Sequence, residues 1–401
     1  MTRILLINPP SPYLENDAAY PPMGLLYLAA VLEDLGCHTD IADLTGGRPL
    51  PPTGGYDLAG ITCVTPNVPQ VERLIPQIDC PVMVGGPHPT FLPTDMINRI
   101  RDGDCIVRGE AETALPRIVA DLTAGQLGPD YLCGLPEPDQ IPLPHRTKID
   151  LHRYRPGGDA CTPVYTSRGC PYRCAFCSKL AGTTYRRFSV DRVIREVTVC
   201  KDLGFHKIVF GDDNMNVNPA YLSTLLTALE PLDIAFRLNM DSRRITPDLL
   251  AQAHAAGCTE ISMGIESGSQ RILDAMQKQA RVDTNAEAIR MVQDAGMLAK
   301  AYFMVNFPGE TAETVEETLR FAEATRPDRW LLSAFAPLPG SAVWLNPNRY
   351  GITAVSKTWG DYYLVGKDGR FAPCFETRAL PHARQIEFHD RLLHGLREVC
   401  A

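Results

Sequence analysis

Short apolar runs alternate with amphipathic stretches through the first 125 residues of the chain. Between Leu25 and Leu35, leucine and alanine recur at intervals of three and four residues, which predicts the buried face of a helix that Gly36 ends. Strand–helix alternation is typical of a parallel sheet that is covered on both faces. We therefore predict a doubly wound, Rossmann-like α/β domain over residues 1–125, with strands at Ile4–Asn8, Thr39–Ala42, Leu58–Val64, Val82–Val84 and Cys105–Val107.

The alternation stops between Gly125 and Pro163, where prolines recur. Proline lacks the backbone N–H that regular elements need, so this stretch is predicted to be a Pro-rich linker over residues 126–162.

Strand–helix alternation then resumes with strands predicted to begin near Val164, Lys207, Ile234, Glu260, Lys300 and Trp330. Six strand–helix units are too few for a closed eight-stranded barrel, so residues 163–337 are predicted to form an open (βα)6 partial TIM barrel. The active site of such a barrel is expected at the C-terminal ends of its strands. Residues 338–401 have mixed periodicity and are predicted to form a short C-terminal cap on the substrate side.

Charge and composition narrow the class of protein. The 401 residues carry a net charge of −8, which argues against nucleic-acid binding. The longest strongly apolar stretch, from Gly24 to Leu32, is far shorter than a membrane span, and the N-terminus lacks the features of a signal peptide. We expect a soluble, cytoplasmic monomer that acts on a small molecule and binds no membrane.

Three of the thirteen cysteines stand close together, at Cys170, Cys174 and Cys177. The odd number and the length of the chain argue against a disulfide framework. Three thiolates at this spacing on one loop can hold three irons of a 4Fe–4S cube and leave the fourth iron open. A structural zinc site is less well matched, because it wants four ligands and the nearest histidines, His152 and His206, are distant in sequence.

This C-x3-C-x2-C motif resembles that of the radical S-adenosylmethionine (SAM) superfamily. The resemblance implies that SAM chelates the open iron and is split to a 5′-deoxyadenosyl radical. It also implies SAM contacts at the ends of successive strands. Phe176 would lie near the adenine and Asp212 or Asp213 would receive the amino group, the choice between the two being open. The polar side chains expected at the ribose and the carboxylate are Arg237, Asn239, Glu266 and Ser267.

The N-terminal half resembles the cobalamin-binding domain that is fused to a large radical-SAM subgroup. Three segments carry the resemblance, namely 20–30, 84–90 and 107–112, and the two resemblances together cover about residues 1–340. Loops rich in glycine and small polar residues follow the predicted strands, as a close approach of backbone to ligand requires. The residues expected to contact cobalamin are Pro10, Ser11, Thr65, Asn67, Val68, Gly85, Gly86, His88, Gly109 and Glu110.

Some cobalamin domains bind the lower face of cobalt through the histidine of a D-x-H-x-x-G motif. The sequence departs from that motif. The nearest match here, from Asp150 to Arg155, ends in arginine and lies in the predicted linker, so His152 is disfavoured as a ligand. The loop from Thr65 to Pro69 would face cobalt instead and carries no strong ligand. His88 is expected at the corrin periphery.

The leading functional hypothesis is a cobalamin-dependent radical SAM C-methyltransferase. Methylcobalamin would pass a methyl group to a substrate radical at an unactivated carbon, a second SAM being the methyl source, and a reductant such as flavodoxin or ferredoxin would supply electrons. No catalytic residue beyond the cofactor ligands is expected. The alternative is a non-methylating cobalamin-dependent enzyme that carries out oxidative cyclisation or ring rearrangement. A methylthiotransferase and a non-catalytic cobalamin or redox sensor are weaker alternatives.

Overall fold

The computed structural model describes residues 1–154, 161–366 and 371–400. They form two compact units, which are described separately. The first unit contains residues 1–154 together with Ser178–Gly182 and Thr358–Gly360, and the second contains the rest. None of the helices in the described ranges has both the length and the apolar character that crossing a bilayer requires.

The first unit is built on a six-stranded parallel sheet, as predicted. Its strand order is β2-β1-β3-β4-β5-β6. The strands are β1 (Arg3–Asn8), β2 (His38–Asp43), β3 (Leu58–Thr62), β4 (Val82–Gly85), β5 (Cys105–Arg108) and β6 (Asp130–Leu132). The helices are α1 (Met23–Asp34), α2 (Val68–Leu74), α3 (Pro87–Phe91), α4 (Pro93–Ile97) and α5 (Leu115–Thr123).

The apolar run in β1 shows why this sheet is buried on both sides. Leu5 and Ile7 belong to one apolar cluster, whereas Ile4 and Leu6 belong to another. Successive side chains of a strand point to opposite faces, so each cluster fills the space between one face and its helices. A continuous apolar run is what a doubly covered parallel strand needs.

The segment predicted as a linker contains the edge strand β6, which the sequence analysis did not identify. A strand of three residues is too short to show a periodic pattern, and the surrounding prolines hide it. The first unit therefore continues well beyond residue 125. Residues 155–160 of the predicted linker lie outside the described residues.

The second unit contains the predicted open barrel, a parallel six-stranded sheet in the order β14-β13-β12-β11-β10-β7. Its strands are β7 (Cys161–Val164), β10 (Lys207–Phe210), β11 (Ala235–Met240), β12 (Cys258–Glu266), β13 (Leu298–Val305) and β14 (Arg329–Ala334). A short antiparallel pair, β8 (Ser167–Arg168) and β9 (Arg186–Arg187), follows β7. The helices between the strands are α6 (Val190–Asp202), α7 (Pro219–Leu229), α8 (Pro247–Ala255), α9 (Gln270–Ala275), α10 (Val282–Asp294) and α11 (Ala312–Thr325).

The two faces of this sheet differ in polarity. In β11, Phe236 and Leu238 are buried, whereas Arg237 and Asn239, on the opposite face, are half-buried. Four of these helices, α6, α7, α8 and α11, begin at side-chain caps; at Ser189, for example, the hydroxyl accepts a hydrogen bond from the N–H of Arg192. The apolar face lies under the helices, and the polar face is the one available for binding.

Beyond the barrel the chain forms a small antiparallel pair and a long final helix. These elements are α12 (Ala342–Leu345), β15 (Ile352–Val355), β16 (Phe375–Thr377) and α13 (His382–Val399). The helix α13 packs against α11 and so extends the outer helical layer of the second unit.

Candidate functional site

The cysteine motif lies on a loop of the second unit whose ends are held by the β8–β9 pair. Cys170, Cys174 and Cys177 are half-buried on it. Ala175, at its centre, is fully buried. The Ala175 N–H donates to the carbonyl of Met276 at 2.8 Å, and its carbonyl accepts from the N–H of Val343 at 3.2 Å. Two different parts of the unit therefore fix the middle of the loop.

Among the described side chains, no group of three His, Cys, Asp or Glu residues is drawn together closely enough to hold a metal ion. The three thiols share one loop. Thiolates repel one another, and metal binding supplies the energy that assembles such a site. The chemistry of the donor set, three soft sulfur ligands on one anchored loop, fits an iron–sulfur cluster.

Two cations lie close to the cysteine loop. Burial by itself would lower the pKa of Lys278, but the Glu266 carboxylate and the Cys174 thiol raise it above its usual range. The guanidinium of Arg243 stacks on the ring of Tyr172 with 4.4 Å to the centroid, and hydrogen bonding to Asp241 raises its pKa. Positive charge here would offset the negative charge of a cluster held by three thiolates.

Lys278 forms an ion pair with Glu266, with 2.9 Å between Nζ and Oε1. The pair occupies the space that Gly264 leaves free, because a Cβ on Gly264 would lie 2.5 Å from that oxygen and 2.7 Å from Nζ. Glu266, predicted to bind SAM, has a positive φ of 65° at the end of β12. The sequence analysis did not identify Lys278, and the available signal was a glycine two positions before the acidic residue that ends β12.

The two aspartates that end β10 have different surroundings. Asp212 is buried, and its carboxylate accepts hydrogen bonds from the hydroxyls of Thr166 and Ser167 and from the Thr166 N–H. Burial raises the pKa of Asp212 to about 6, although these hydrogen bonds act in the opposite direction. Asp213 is exposed. The Asp212 carboxylate is therefore engaged within the protein, whereas Asp213 lies at the surface.

The remaining polar residues predicted at SAM are placed at different depths. Asn239 donates to the Asp212 carbonyl at 3.3 Å, which keeps it beside the β10 strand end. Arg237 lies 3.8 Å from the buried carboxylate of Glu260, nearer the start of the strands. Ser267 has no exposed surface, and its hydroxyl contacts that of Thr318 at 3.1 Å. Of this set, Asn239 is the best placed to reach a ligand at the strand ends.

In the first unit, the loops predicted to bind cobalamin meet at the C-terminal ends of the strands. The Asn67 amide donates to the Ser11 hydroxyl at 3.1 Å, which joins the loops after β1 and β3. Thr65, Asn67 and Val68 are buried. Pro10, Ser11, Gly85 and Gly109 are half-buried, whereas Glu110 is buried. The structure thus gathers the predicted loops at one edge of the sheet, where doubly wound folds bind ligands.

Gly86 lies where two protein segments approach each other closely. Its φ is +112°, and a Cβ there would lie 2.8 Å from the carbonyl oxygen of Cys63. The backbone N–H of His88, two residues after Gly86, donates to the same Cys63 carbonyl at 3.1 Å. The absence of a side chain lets these two segments approach each other, and the predicted contact of Gly86 with cobalamin stays a prediction.

His88 has no exposed surface. Its Nε2 lies 2.9 Å from Oδ2 of Asp95, and its Nδ1 lies 3.4 Å from the Thr65 hydroxyl. The ring also meets Trp359 edge-on at 5.1 Å, and the Trp359 indole N–H donates to Asp95 at 3.1 Å. Burial lowers the pKa of His88 despite the nearby carboxylate. In this arrangement His88 packs against the Thr65 loop. Direct contact with the corrin periphery would require His88 to leave Thr65, Asp95 and Trp359.

The residues around His152 are bound to the β1–β2 edge. His152 is exposed, while Arg153 and Tyr154 both donate to the carboxylate of Asp43. Arg155, which ends the D-x-H-x-x-R match, lies outside the described residues.

Comparison with known protein families gives two matches, one in each half of the chain. Residues 17–119 match the B12 binding domain, and residues 164–322 match the radical SAM superfamily. The first range covers the loops after β3, β4 and β5, and the second contains the cysteine loop and β10 to β13.

Similarity to individual proteins extends over most of the chain. An uncharacterized methyltransferase from Pyrococcus horikoshii is 30% identical over 85% of this chain and 82% of its own length. An anaerobic magnesium-protoporphyrin IX monomethyl ester cyclase from Rubrivivax gelatinosus is 28% identical over 84% of this chain and 69% of its own. The fold resembles that of TsrM, a radical SAM methyltransferase from Kitasatospora setae that was solved with tryptophan and a SAM analogue. The TM-score is 0.77 at 18% sequence identity, and the match covers 98% of this chain and 89% of TsrM.

Proposed function

The chain belongs to the cobalamin-dependent radical SAM enzymes, and on this basis we propose that it is a C-methyltransferase acting at an unactivated carbon of a small biosynthetic substrate. The observation that carries the proposal is the presence of both family domains on one chain that is similar to a methyltransferase over most of its length. The family cofactors are a 4Fe–4S cluster, SAM and cobalamin. When bound, the cluster and SAM supply the radical that activates the substrate, and cobalamin supplies a methyl group derived from a second SAM.

We propose that Cys170, Cys174 and Cys177 hold the cluster. The burial of Ala175 and its two backbone hydrogen bonds support this assignment, since they fix the centre of the loop while the thiols remain only half-buried. The loop can then present its sulfurs without reorganising its anchor. A protein reductant of the flavodoxin or ferredoxin type would deliver electrons to it.

For SAM, we propose that Asp213 receives the amino group, because Asp212 is committed to Thr166 and Ser167. Phe176 is half-buried on the cysteine loop, 5.9 Å from the Lys278 ammonium, and would lie against the adenine. Lys278 would pair with the SAM carboxylate, held in position by Glu266. Asn239 completes the polar edge at the strand ends.

For cobalamin, we propose contacts from the loops after β1, β3, β4 and β5, with Ser11 and Asn67 as a linked pair beneath the corrin. His88 would act on the Thr65 loop and not on the metal. The loop carries threonine, proline, asparagine and valine from Thr65 to Val68, which supports a lower face of cobalt without a nitrogen ligand from this loop.

A second candidate function is oxidative cyclisation, which the similarity to the Rubrivivax cyclase favours. Anaerobic reconstitution with candidate substrates, followed by mass spectrometry, separates the two functions. Methylation is expected to yield a product heavier by one CH2 unit, with both S-adenosylhomocysteine and 5′-deoxyadenosine. Formation of 5′-deoxyadenosine without S-adenosylhomocysteine would refute methylation and favour cyclisation.

A cysteine variant tests the cluster assignment independently of the substrate. Cys174→Ala is expected to lose iron and SAM cleavage but to bind cobalamin normally, because the change is confined to the second unit. Cys400→Ala, which alters a half-buried cysteine after α13, is the matched control and should behave like the wild type. Normal iron content and SAM cleavage in Cys174→Ala would contradict the assignment.

A further inference from the structure

A second charged group lies on the polar face of the barrel sheet, nearer the start of the strands than the proposed SAM contacts. It consists of Arg237, Glu260, Lys300 and Arg329, which come from the adjacent strands β11, β12, β13 and β14. Arg237 pairs in register with Glu260, and Lys300 pairs in register with Arg329. Lys300 also pairs in register with Ser262, which lies two residues after Glu260 on the same face of β12. All four side chains therefore lie on one face of the sheet.

Glu260 is the only carboxylate among these four residues. Glu260 is fully buried and its two oxygens are already engaged, one 2.8 Å from Arg329 and the other 3.8 Å from Arg237. Ser262 adds a hydrogen bond to the latter oxygen at 3.3 Å. The Glu260 carboxylate thus lies near three cations and forms its ion pairs with the two arginines.

Lys300 is the cation left without an anion. In the described parts of the chain no hydrogen bond or ion pair reaches its ammonium, which lies 5.3 Å from the ring centroid of Tyr302. The side chain is half-buried. Burial lowers the pKa of Lys300, and the neighbouring arginines lower it further while Glu260 opposes them. Within the described residues, this half-buried ammonium on the polar face of the sheet has no counter-ion, and it is suited to accept one from a ligand.

We propose that Lys300, with Arg237 and Arg329 beside it, binds an anionic group of the substrate, a carboxylate or a phosphate. This inference rests on the proposed function, since it takes the polar face of the barrel as the substrate face. Lys300 pairs with Ser262, and the strand-end residue Glu266 pairs with Phe303, three residues further along β13. At about 3.3 Å per residue, the anion and the reacting carbon would be separated by roughly 10 Å. The proposed substrate is thus a small anionic molecule that is modified at the end remote from its charge.

The test uses the full-length apo chain with inorganic phosphate and acetate as probes, each measured against chloride at equal ionic strength. At least one probe should raise the unfolding temperature of the wild type in a saturable way. Lys300→Met should weaken that binding by roughly 10- to 100-fold, as expected for one charge-assisted contact. Lys300→Arg, which keeps the charge, should retain most of it. Lys357→Met, which removes an exposed lysine of the same unit, is the matched control and should bind like the wild type.

Equal binding by the Lys300→Met protein, or no stabilisation of the wild type by either anion, would overturn the proposal. If Lys300→Met does not fold, Lys300→Gln replaces it in the same comparison with Lys300→Arg. SAM affinity is measured on the same proteins. A fall in SAM affinity matching the loss of anion binding would assign the charge to the SAM carboxylate and would also overturn the proposal.

The failure of this proposal can be told apart from the failure of the proposed function. Anion binding is measured without cluster, cobalamin or turnover. Reconstituted enzyme that forms no methylated product would reject the methyltransferase assignment while leaving the measured anion site in place. Methylation of an uncharged substrate, with Lys300→Met fully active, would reject the anion site alone.

Discussion

Replacing Gly86 by alanine tests whether this glycine serves the protein backbone or a ligand. The added Cβ would lie 2.8 Å from the Cys63 carbonyl oxygen and 3.1 Å from the Cys63 nitrogen. These atoms belong to backbone and cannot turn aside as a side chain would. The conformation at φ +112° and ψ −170° is also one that only glycine adopts readily, at a cost of roughly 1–3 kcal/mol for other residues. Overlap with fixed atoms adds roughly 1–3 kcal/mol, so we expect a total near 4 kcal/mol.

The assay is thermal unfolding of the apo chain, in which no corrin is present. For a unit of this size, roughly 2–4 °C are lost per kcal/mol, so Gly86→Ala should unfold roughly 8–16 °C below the wild type. Two glycines of the same unit provide controls. Gly85→Ala should be nearly neutral, because its Cβ would meet nothing closer than 3.9 Å and its φ is not positive. Gly36→Ala has a positive φ but open space around it, so it should cost only about 1–2 kcal/mol.

The result depends on the order of the unfolding temperatures of the three variants. If apo Gly86→Ala is as stable as Gly85→Ala but binds corrin poorly, the contact with Cys63 does not matter and Gly86 serves the ligand. If Gly86→Ala matches Gly36→Ala, backbone strain alone explains the loss and the steric argument is wrong.

Two further predictions concern carboxyl groups. Asp213→Asn should lower SAM affinity with little loss of stability, whereas Asp212→Asn should mainly destabilise the fold; equal loss of SAM affinity in both would refute the division of roles. Burial raises the pKa of Glu310 to about 8, above its value in the unfolded chain, so its contribution to stability is complete below pH 4–5 and is lost as the pH rises through about 8. In urea denaturation, the free energy of unfolding of Glu310→Gln should therefore rise relative to that of the wild type as the pH goes from 5 to 9. The exposed Glu313→Gln variant should show no such trend. Parallel pH profiles for Glu310→Gln and the wild type would contradict this prediction.

The strands show how far local pattern predicts the fold. The buried strands β1, β3, β4 and β5 were predicted because each is an apolar run that can be distinguished from its neighbours. The barrel strands were predicted near their observed positions, although β7 ends at Val164, where it was predicted to begin, and β11 alternates apolar and polar residues. β6 was missed because it has three residues and lies at a sheet edge. Its pairing with β5 is a long-range contact that leaves almost no local trace.

The candidate sites divide in the same way. The cysteine spacing is local, and it was enough to predict a cluster and a superfamily that the comparisons bear out. Lys278 was not predicted, because its importance depends on its reaching Glu266 in the space above Gly264. Trp359 contacts His88 and Asp95, although more than 260 residues separate it from both along the chain.

By itself, the sequence determined the two parallel α/β domains, the three thiols and the class of cofactors, because apolar periodicity and ligand spacing are written in neighbouring residues. Only the tertiary structure decided which of two adjacent aspartates is buried, which backbone atoms Gly86 approaches and that, within the described residues, no ion pair reaches the Lys300 ammonium. Each of these depends on atoms that lie far apart along the chain and meet only when strands pair and helices pack, so no local pattern records them.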